Sequence, residues 1–122
     1  MDDKPQPAFA NGKICYIEIP ALDILQSSTF YQKVFGWNIR SDNDGNTSFD
    51  DTVGQVSGMW VTGRKPAAEI GFVISVMVDN IQATIGLNTL YNGKIISVDI
   101  ESPEKTARFT DPFGNMFGLY QQ

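Results

Sequence analysis

The sequence reads KICYIEIPALDI over residues 13–24, and the return of this pattern later in the chain decides the fold. Residues 13–19 are apolar and β-branched and predict a strand, which Pro20 ends. Asp23 stands where an N-cap opens a helix, and Gly36 stands where that helix ends. Between them one buried stripe follows the i, i+4, i+7 spacing of a helix and contains Ile24, Ser28, Tyr31 and Phe35.

Three further strands are predicted in the first half of the chain. Residues 37–42 and 46–50 form a hairpin, because the Asp-Gly step between them readily supplies the positive φ of a tight turn. Residues 55–62 form the next strand. The polar, proline-containing segment 63–68 has no periodicity, and we interpret it as the link between two halves.

The same order of elements then returns. Residues 69–78 predict a long apolar strand, and Asp79-Asn80 offers the cap of a second helix, which Gly93 closes. Three more strands are predicted at 94–100, 105–110 and 115–120, with a proline-containing type I turn before the last.

A constant shift of 57 residues superposes Ile17 on Ile74, Ile19 on Val76, Ile24 on Ile81, Gly36 on Gly93 and Ile39 on Ile96. This register indicates an internal duplication of a βαβββ unit. The predicted fold class is α+β, with tandem βαβββ modules at 13–62 and 69–121 in a single domain over 13–122. Residues 1–12 lack periodicity and are predicted to form a flexible N-terminal arm.

The composition is that of an ordinary globular protein, and 122 residues suffice for one domain. The acidic residues are scattered and give a net charge of -5, so the basic stripe that phosphate backbones require is missing and nucleic acid is not an expected partner. An acidic surface either attracts a cationic small molecule or simply maintains solubility.

Targeting and motif signals are few. The N-terminal residues do not resemble a secretory signal, and no run reaches the roughly 18 apolar residues of a membrane span, so we expect a cytoplasmic protein without membrane contact. The single cysteine, Cys15, cannot form an internal disulfide and is expected to be buried and inert. The chain contains no histidine, and CxxC, GxGxxG and Walker motifs are missing, which leaves triad, dithiol and nucleotide chemistry unsupported.

The quoted start, then SSTFYQKVFGW (27–37), SGMWVTG (57–63) and ARFTDPFGNMFGLYQ (107–121), resemble the vicinal-oxygen-chelate superfamily of glyoxalases, bleomycin-resistance proteins and extradiol dioxygenases. The resemblance implies two modules that form a curved, mostly antiparallel sheet around a cup, with the helices on the outer side. It also implies a homodimer, with the cup shared between chains or contained in one. Many members hold a divalent metal at four positions on the strands of the cup.

Those four positions are matched here by residues that are poor ligands. Tyr16 takes the cup-side place of the first ligand, and the equivalent offset in the second module gives Val73. Gly118 stands where the family has a glutamate, and the remaining position falls within 59–61, Met-Trp-Val. Because divalent metals in such sites need histidine or carboxylate ligands, we expect no metal and no other cofactor.

The cup is therefore expected to bind an organic molecule. The predicted ligand-binding residues are Tyr16, Glu18, Phe49, Trp60, Val73, Gly118 and Tyr120. Aromatic rings present flat, amphipathic surfaces to a ligand, and Gly118 leaves space where a metal-binding side chain would stand. The alternative for each aromatic residue is ordinary packing in the core.

Three functions follow as hypotheses. The first is a metal-independent protein that binds a small organic molecule, aromatic or cationic. The second is a lyase or isomerase in which Glu18, the one catalytic candidate, or a bound cofactor replaces the metal; a glutamate at a strand end also pairs readily with Arg108 or another cation. The third is a protein-interaction module whose cups are filled by its own side chains.

Overall fold

The computed structural model describes residues 7–11, 13–68 and 71–121. The elements in chain order are β1 Tyr16–Pro20, α1 Ile24–Phe35, β2 Asn38–Ser41, β3 Thr47–Asp50, β4 Ser57–Val61, β5 Ser75–Met77, α2 Ile81–Leu90, β6 Lys94–Asp99, β7 Lys105–Thr110 and β8 Met116–Gln121. This order confirms the predicted α+β class and the tandem βαβββ arrangement. Most of the predicted arm (1–6 and 12) and the predicted start of the second module (69–70) lie outside the described residues.

The two modules have the same strand order. The first sheet runs β1-β4-β3-β2 and the second β5-β8-β7-β6. In each sheet the first strand lies parallel to the last, and the other pairs are antiparallel. The helix covers one face of its module, which leaves the opposite face of both sheets open; we call this open side the cup face. No helix in the described part of the chain is long and apolar enough to cross a membrane.

Capping residues set the ends of the helices, as the sequence predicts. The Asp23 carboxylate accepts a hydrogen bond from the Gln26 amide at 3.0 Å, and Gly36 takes the left-handed conformation that ends α1. Asn80 caps α2 through the Ala83 amide at 3.1 Å.

The end of α2 differs from the prediction. Asn92, and not Gly93, adopts the positive φ after this helix. Gly93 is needed for a different reason: a Cβ there would lie 2.3 Å from the side-chain oxygen of Asn88, so the chain can pass the helix only without a side chain.

The predicted strand at 69–78 is too long. Only Ser75–Met77 pairs with β8, and Phe72 is 96% exposed. The backbone amides of Met116 and Gly118 on β8 bond to the carbonyls of Ala67 and Ile74, and residues 71–74 form no strand. Cys15 is another correction, since the thiol is exposed at the start of β1.

The turns before the last strand of each module repeat one sequence pattern. They read DTVGQ at 51–55 and DPFGN at 111–115. Asp51 accepts backbone hydrogen bonds from Gln55 and Val56, while Asp111 accepts them from residues 113–115. The repeated aspartate thus fixes both turns, which is a local sign of the duplication.

The helix-facing sides of both sheets share one aromatic core. Tyr31 of α1 is fully buried, and its ring stacks on Trp37 at 4.9 Å and lies 5.7 Å from Phe117 of β8. Phe30 reaches Phe109 of β7 at 6.2 Å. Because α1 contacts strands of both modules in this way, the two halves are packed against each other and do not only follow one another in sequence.

Candidate functional site

One layer of the cup face brings together four strands at equivalent places. Glu18 of β1 pairs with Met59 of β4, and Ser75 of β5 pairs with Gly118 of β8. Alternation along the strands turns these residues away from the buried side chains on either side of them, such as Ile19 and Leu119. The family resemblance places metal ligands at Gly118 and within 59–61, and the strand register moves the other two positions from Tyr16 and Val73 to Glu18 and Ser75.

The cup face of the second sheet holds an open cavity of about 500 Å³. Its apolar lining includes Ile96, Val98, Met116 and Tyr120, and its polar lining includes Ser75, Asp99, Thr106 and Arg108. Ile96 is 47% exposed, so apolar surface faces the cavity without being covered by the chain itself, whereas Val98 pairs with the buried Ala107 and contributes its backbone. Such a mixture of apolar area and a few polar groups is typical of small-molecule sites.

Tyr120 stands at the edge of this cavity. Burial, followed by the charge and hydrogen bond of Glu104, raises the pKa of the Tyr120 hydroxyl. The hydroxyl donates its proton in that hydrogen bond and stays protonated at neutral pH, so its oxygen is left to accept a hydrogen bond.

The cup face of the first sheet is occupied by its own polar side chains. Arg40 makes two hydrogen bonds to Asp50, at 2.8 and 3.0 Å, and the Ser57 hydroxyl donates to the same carboxylate at 2.6 Å. Burial acts to raise the pKa of Asp50, but the bonds from Ser57 and Arg40 outweigh it and lower the pKa. Glu18 is paired with Arg64 at 2.7 Å. The two halves of the cup face therefore differ, one satisfied internally and one open.

Four of the predicted ligand-binding residues lie on the cup face, namely Tyr16, Glu18, Gly118 and Tyr120. Phe49 and Trp60 do not, and their predicted position is wrong. Phe49 is 1% and Trp60 2% exposed, and their rings lie 4.9 Å apart on the helix-facing side. Because a strand alternates its faces, the one-residue uncertainty in the sequence register was enough to place Trp60 on the wrong side.

The remaining two positions also need correction. Val73 precedes β5, and the strand register places Ser75 opposite Gly118 instead. The space beside Gly118 is not free, because a Cβ there would lie 2.6 Å from the Ser75 hydroxyl oxygen.

Sequence reasoning missed most of the lining of the cavity. Thr106 and Arg108 alternate with the buried Ala107 and Phe109 along β7, so a strict period-2 analysis of 105–110 would have found them. Ile96 carries no such signal, because the register of β6 shifts between Ile95 and Ser97.

The donors in the shared layer do not fit a divalent metal of the family type. Glu18 is the one carboxylate among its four residues, and it is already paired with Arg64. Methionine, serine and glycine at the other places do not supply the nitrogen or carboxylate ligands of such sites. Within the described ranges, no three Cys, Asp or Glu side chains are grouped closely enough to hold a metal ion.

Comparison with known proteins gives matches in structure but not in sequence. No protein-family model and no curated protein matches the chain. Among solved structures, the chain is similar to a glyoxalase/bleomycin resistance protein/dioxygenase family enzyme from Burkholderia phytofirmans PsJN, with a TM-score of 0.70, 20% identity and coverage of 87% of this chain and 95% of that one.

Two further structures carry functional descriptions. The fosfomycin resistance protein FosX from Mesorhizobium loti has a TM-score of 0.73 at 14% identity, with coverage of 93% and 94%. TnmS3, an antibiotic binding protein from Streptomyces sp. CB03234, has a TM-score of 0.68 at 20% identity, with coverage of 93% and 98%. The chain therefore has the vicinal-oxygen-chelate fold of the glyoxalase, bleomycin-resistance and dioxygenase superfamily.

Proposed function

We propose that this protein binds a small organic molecule, without a metal, in the cavity on the cup face of its second sheet. The observation that carries the proposal is the open cavity of about 500 Å³, which combines exposed apolar side chains with Arg108 and Asp99. The equivalent face of the first sheet has its charges paired internally, so it offers fewer free groups to a ligand.

The lining indicates the kind of ligand. Ile96 and Met116 offer an apolar surface to a flat or aromatic body, and the Tyr120 hydroxyl oxygen offers an acceptor. Asp99 suits a cationic substituent, and Arg108 suits an anionic or carbonyl one. Structural neighbours that are described as an antibiotic binding protein and a fosfomycin resistance protein support a ligand of this size.

Metal independence rests on the donor set. With Glu18 as the one carboxylate in its layer, the cup face lacks the three or more ligands that a resident metal needs. The same residue is a poor candidate for a general base, because its side chain is 41% exposed and paired with Arg64, whereas such a base needs a desolvated carboxylate. Ligand binding is therefore better supported than catalysis. We place this function in the cytoplasm.

We further propose a homodimer in which the partner chain covers the open side of the cup. The half-exposed Ile96 and Val98 on the edge strand β6 support it, since burial against a second chain would remove their apolar area from water. Sedimentation velocity is expected to show a dimer that dissociates in the Val98→Glu variant. A wild-type monomer at all concentrations would contradict this part of the proposal.

The test of binding is a screen by ligand-observed NMR with phenols, aromatic carboxylates and aromatic amines, carried out in the presence of a chelator. Hits are expected to lose binding in Thr106→Trp, because the larger side chain fills the cavity on β7. The matched control is Ser48→Trp, on the cup face of the first sheet, which is expected to keep binding. Equal loss in both variants, or hits that need added metal, would refute the proposal.

A further inference from the structure

A second cavity, of about 660 Å³, lies between the two modules on the helix-facing side. Its walls include Trp37 and Phe49 from the first module and Val76, Val78 and Leu87 from the second. It lies beside the cup cavity, and Ser75 is the one described residue that lines both cavities.

The duplication explains why this space is open. The 57-residue shift places Leu87 at the position of Phe30. In the first module Phe30 reaches across to Phe109, with 6.2 Å between the ring centroids, whereas Leu87 and Phe49 line opposite walls of the cavity. A smaller side chain in the second helix thus leaves unfilled the space that an aromatic ring fills in the first.

The next position along the two helices, Tyr31 in α1 and Asn88 in α2, also differs between the modules. Tyr31 donates a hydrogen bond to Asp111 at 2.8 Å, and Asn115, whose amide also bonds to the carbonyl of Pro20, closes that side. Asn88, which replaces Tyr31 in the second helix, is fully buried and makes no side-chain hydrogen bond to the described residues. The polar link that closes one side is therefore missing on the other.

The charged residues among the described lining of the cavity are all acidic. Among the described residues that line it there are two carboxylates, Asp51 and Asp79, and no lysine or arginine. The Trp37 and Phe49 rings stack at 4.6 Å with an angle of 19° between them. Because these rings are only 7% and 1% exposed, the carboxylates are what attracts an organic cation, through ion pairing.

We propose that this inter-module cavity binds a small amphiphilic amine, with its apolar body against Leu87, Val76 and Val78 and its ammonium group towards Asp79 and Asp51. The site is independent of the ligand in the cup, so each can exist without the other.

Isothermal titration of the full-length Thr106→Trp variant, whose cup cavity is filled, with 2-phenylethylamine tests the charge, with 2-phenylethanol and phenylacetate as probes of the same shape. The amine is expected to bind at least about tenfold more tightly than phenylacetate, since like charges repel the acid. Asp79→Asn is expected to reduce that preference, while Asp44→Asn, in the exposed β2–β3 turn and outside both cavities, leaves it unchanged. Equal affinity for the amine and the acid would overturn the proposal.

Leu87→Phe tests the location, because it restores the residue of the first module and fills the cavity. It is expected to abolish amine binding and to keep the protein folded, whereas Leu90→Phe, on the exposed part of the same helix, binds as the wild type does. Amine binding that survives Leu87→Phe in the Thr106→Trp protein would overturn the proposal. So would a change of oligomeric state in Leu87→Phe, because it would show that a second chain occupies the cavity.

Discussion

At the scale of single residues, Gly58 is the position with the least room for change. A Cβ there would lie 2.0 Å from the carbonyl oxygen of Ile17 and 2.4 Å from the Phe49 ring. The carbonyl belongs to the β1 backbone and cannot move without disturbing the strand. Gly58→Ala is therefore expected to lower the free energy of unfolding by about 2–3 kcal/mol, as measured by urea denaturation.

The matched control for this substitution is Gly71→Ala, where a Cβ would meet nothing within 4 Å. It is expected to change the stability by less than about 1 kcal/mol. Similar effects of the two substitutions would show that β1 and β4 are not packed as closely as described.

Tyr31 predicts how stability depends on alkaline pH. Burial, followed by the charge and hydrogen bond of Asp111, raises the pKa of its hydroxyl well above the ordinary value. A group whose pKa is raised on folding stabilises the protein fully below its unfolded pKa of about 10 and loses that contribution as pH rises towards the folded value. The wild-type stability is therefore expected to fall above about pH 10.

Tyr31→Phe removes the titrating group, so thermal denaturation measured across the same pH range is expected to show a shallower alkaline decline. At neutral pH the variant is expected to be less stable by about 1–2 kcal/mol, because Asp111 loses one hydrogen bond but keeps that from Asn115. Parallel alkaline profiles for the two proteins would contradict the assignment.

At the scale of elements, α2 has a weak point in Gly86. This residue lies inside the helix, and a Cβ would meet nothing within 4 Å. Gly86→Ala is expected to raise the free energy of unfolding by about 0.5–1 kcal/mol, because alanine loses less backbone freedom on folding. Gly45→Ala, which forces a left-handed φ of 83° in the β2–β3 turn, is expected to have the opposite sign in the same denaturation experiment.

The elements also show what the sequence can predict. Caps such as Asp23 and Asn80 act through the nearest few residues, so both helix starts were predicted correctly. The faces of β3 and β4 depend on a register set by partners far along the chain, and here Phe49 and Trp60 were assigned to the cup although they belong to the core. The sequence predicted the features that depend on nearby residues. The choice between the two faces of a strand depends on its tertiary partners, which the sequence alone does not identify.

At the scale of the whole molecule, the two modules are similar in fold but differ in how far their own side chains fill the spaces beside the sheets. The first module pairs its charges on the cup face and fills its side of the inter-module space with Phe30 and Tyr31. The second leaves both spaces open, over β7 and beneath Leu87.

The residues at equivalent places on the cup face predict how the molecule responds to metals. Glu18, Met59, Ser75 and Gly118 occupy equivalent places in the two modules, and together they offer one carboxylate. The purified protein is therefore expected to contain no stoichiometric metal, and its melting temperature is expected to be the same in a chelator as in manganese, nickel, zinc or iron, because only a ligand that binds the native state raises stability. Elemental analysis and thermal denaturation measure both quantities. One equivalent of bound metal, or a metal-specific rise in melting temperature that Glu18→Gln removes, would contradict this prediction. It would show that Glu18 and ligands outside this layer hold a metal ion in the cup.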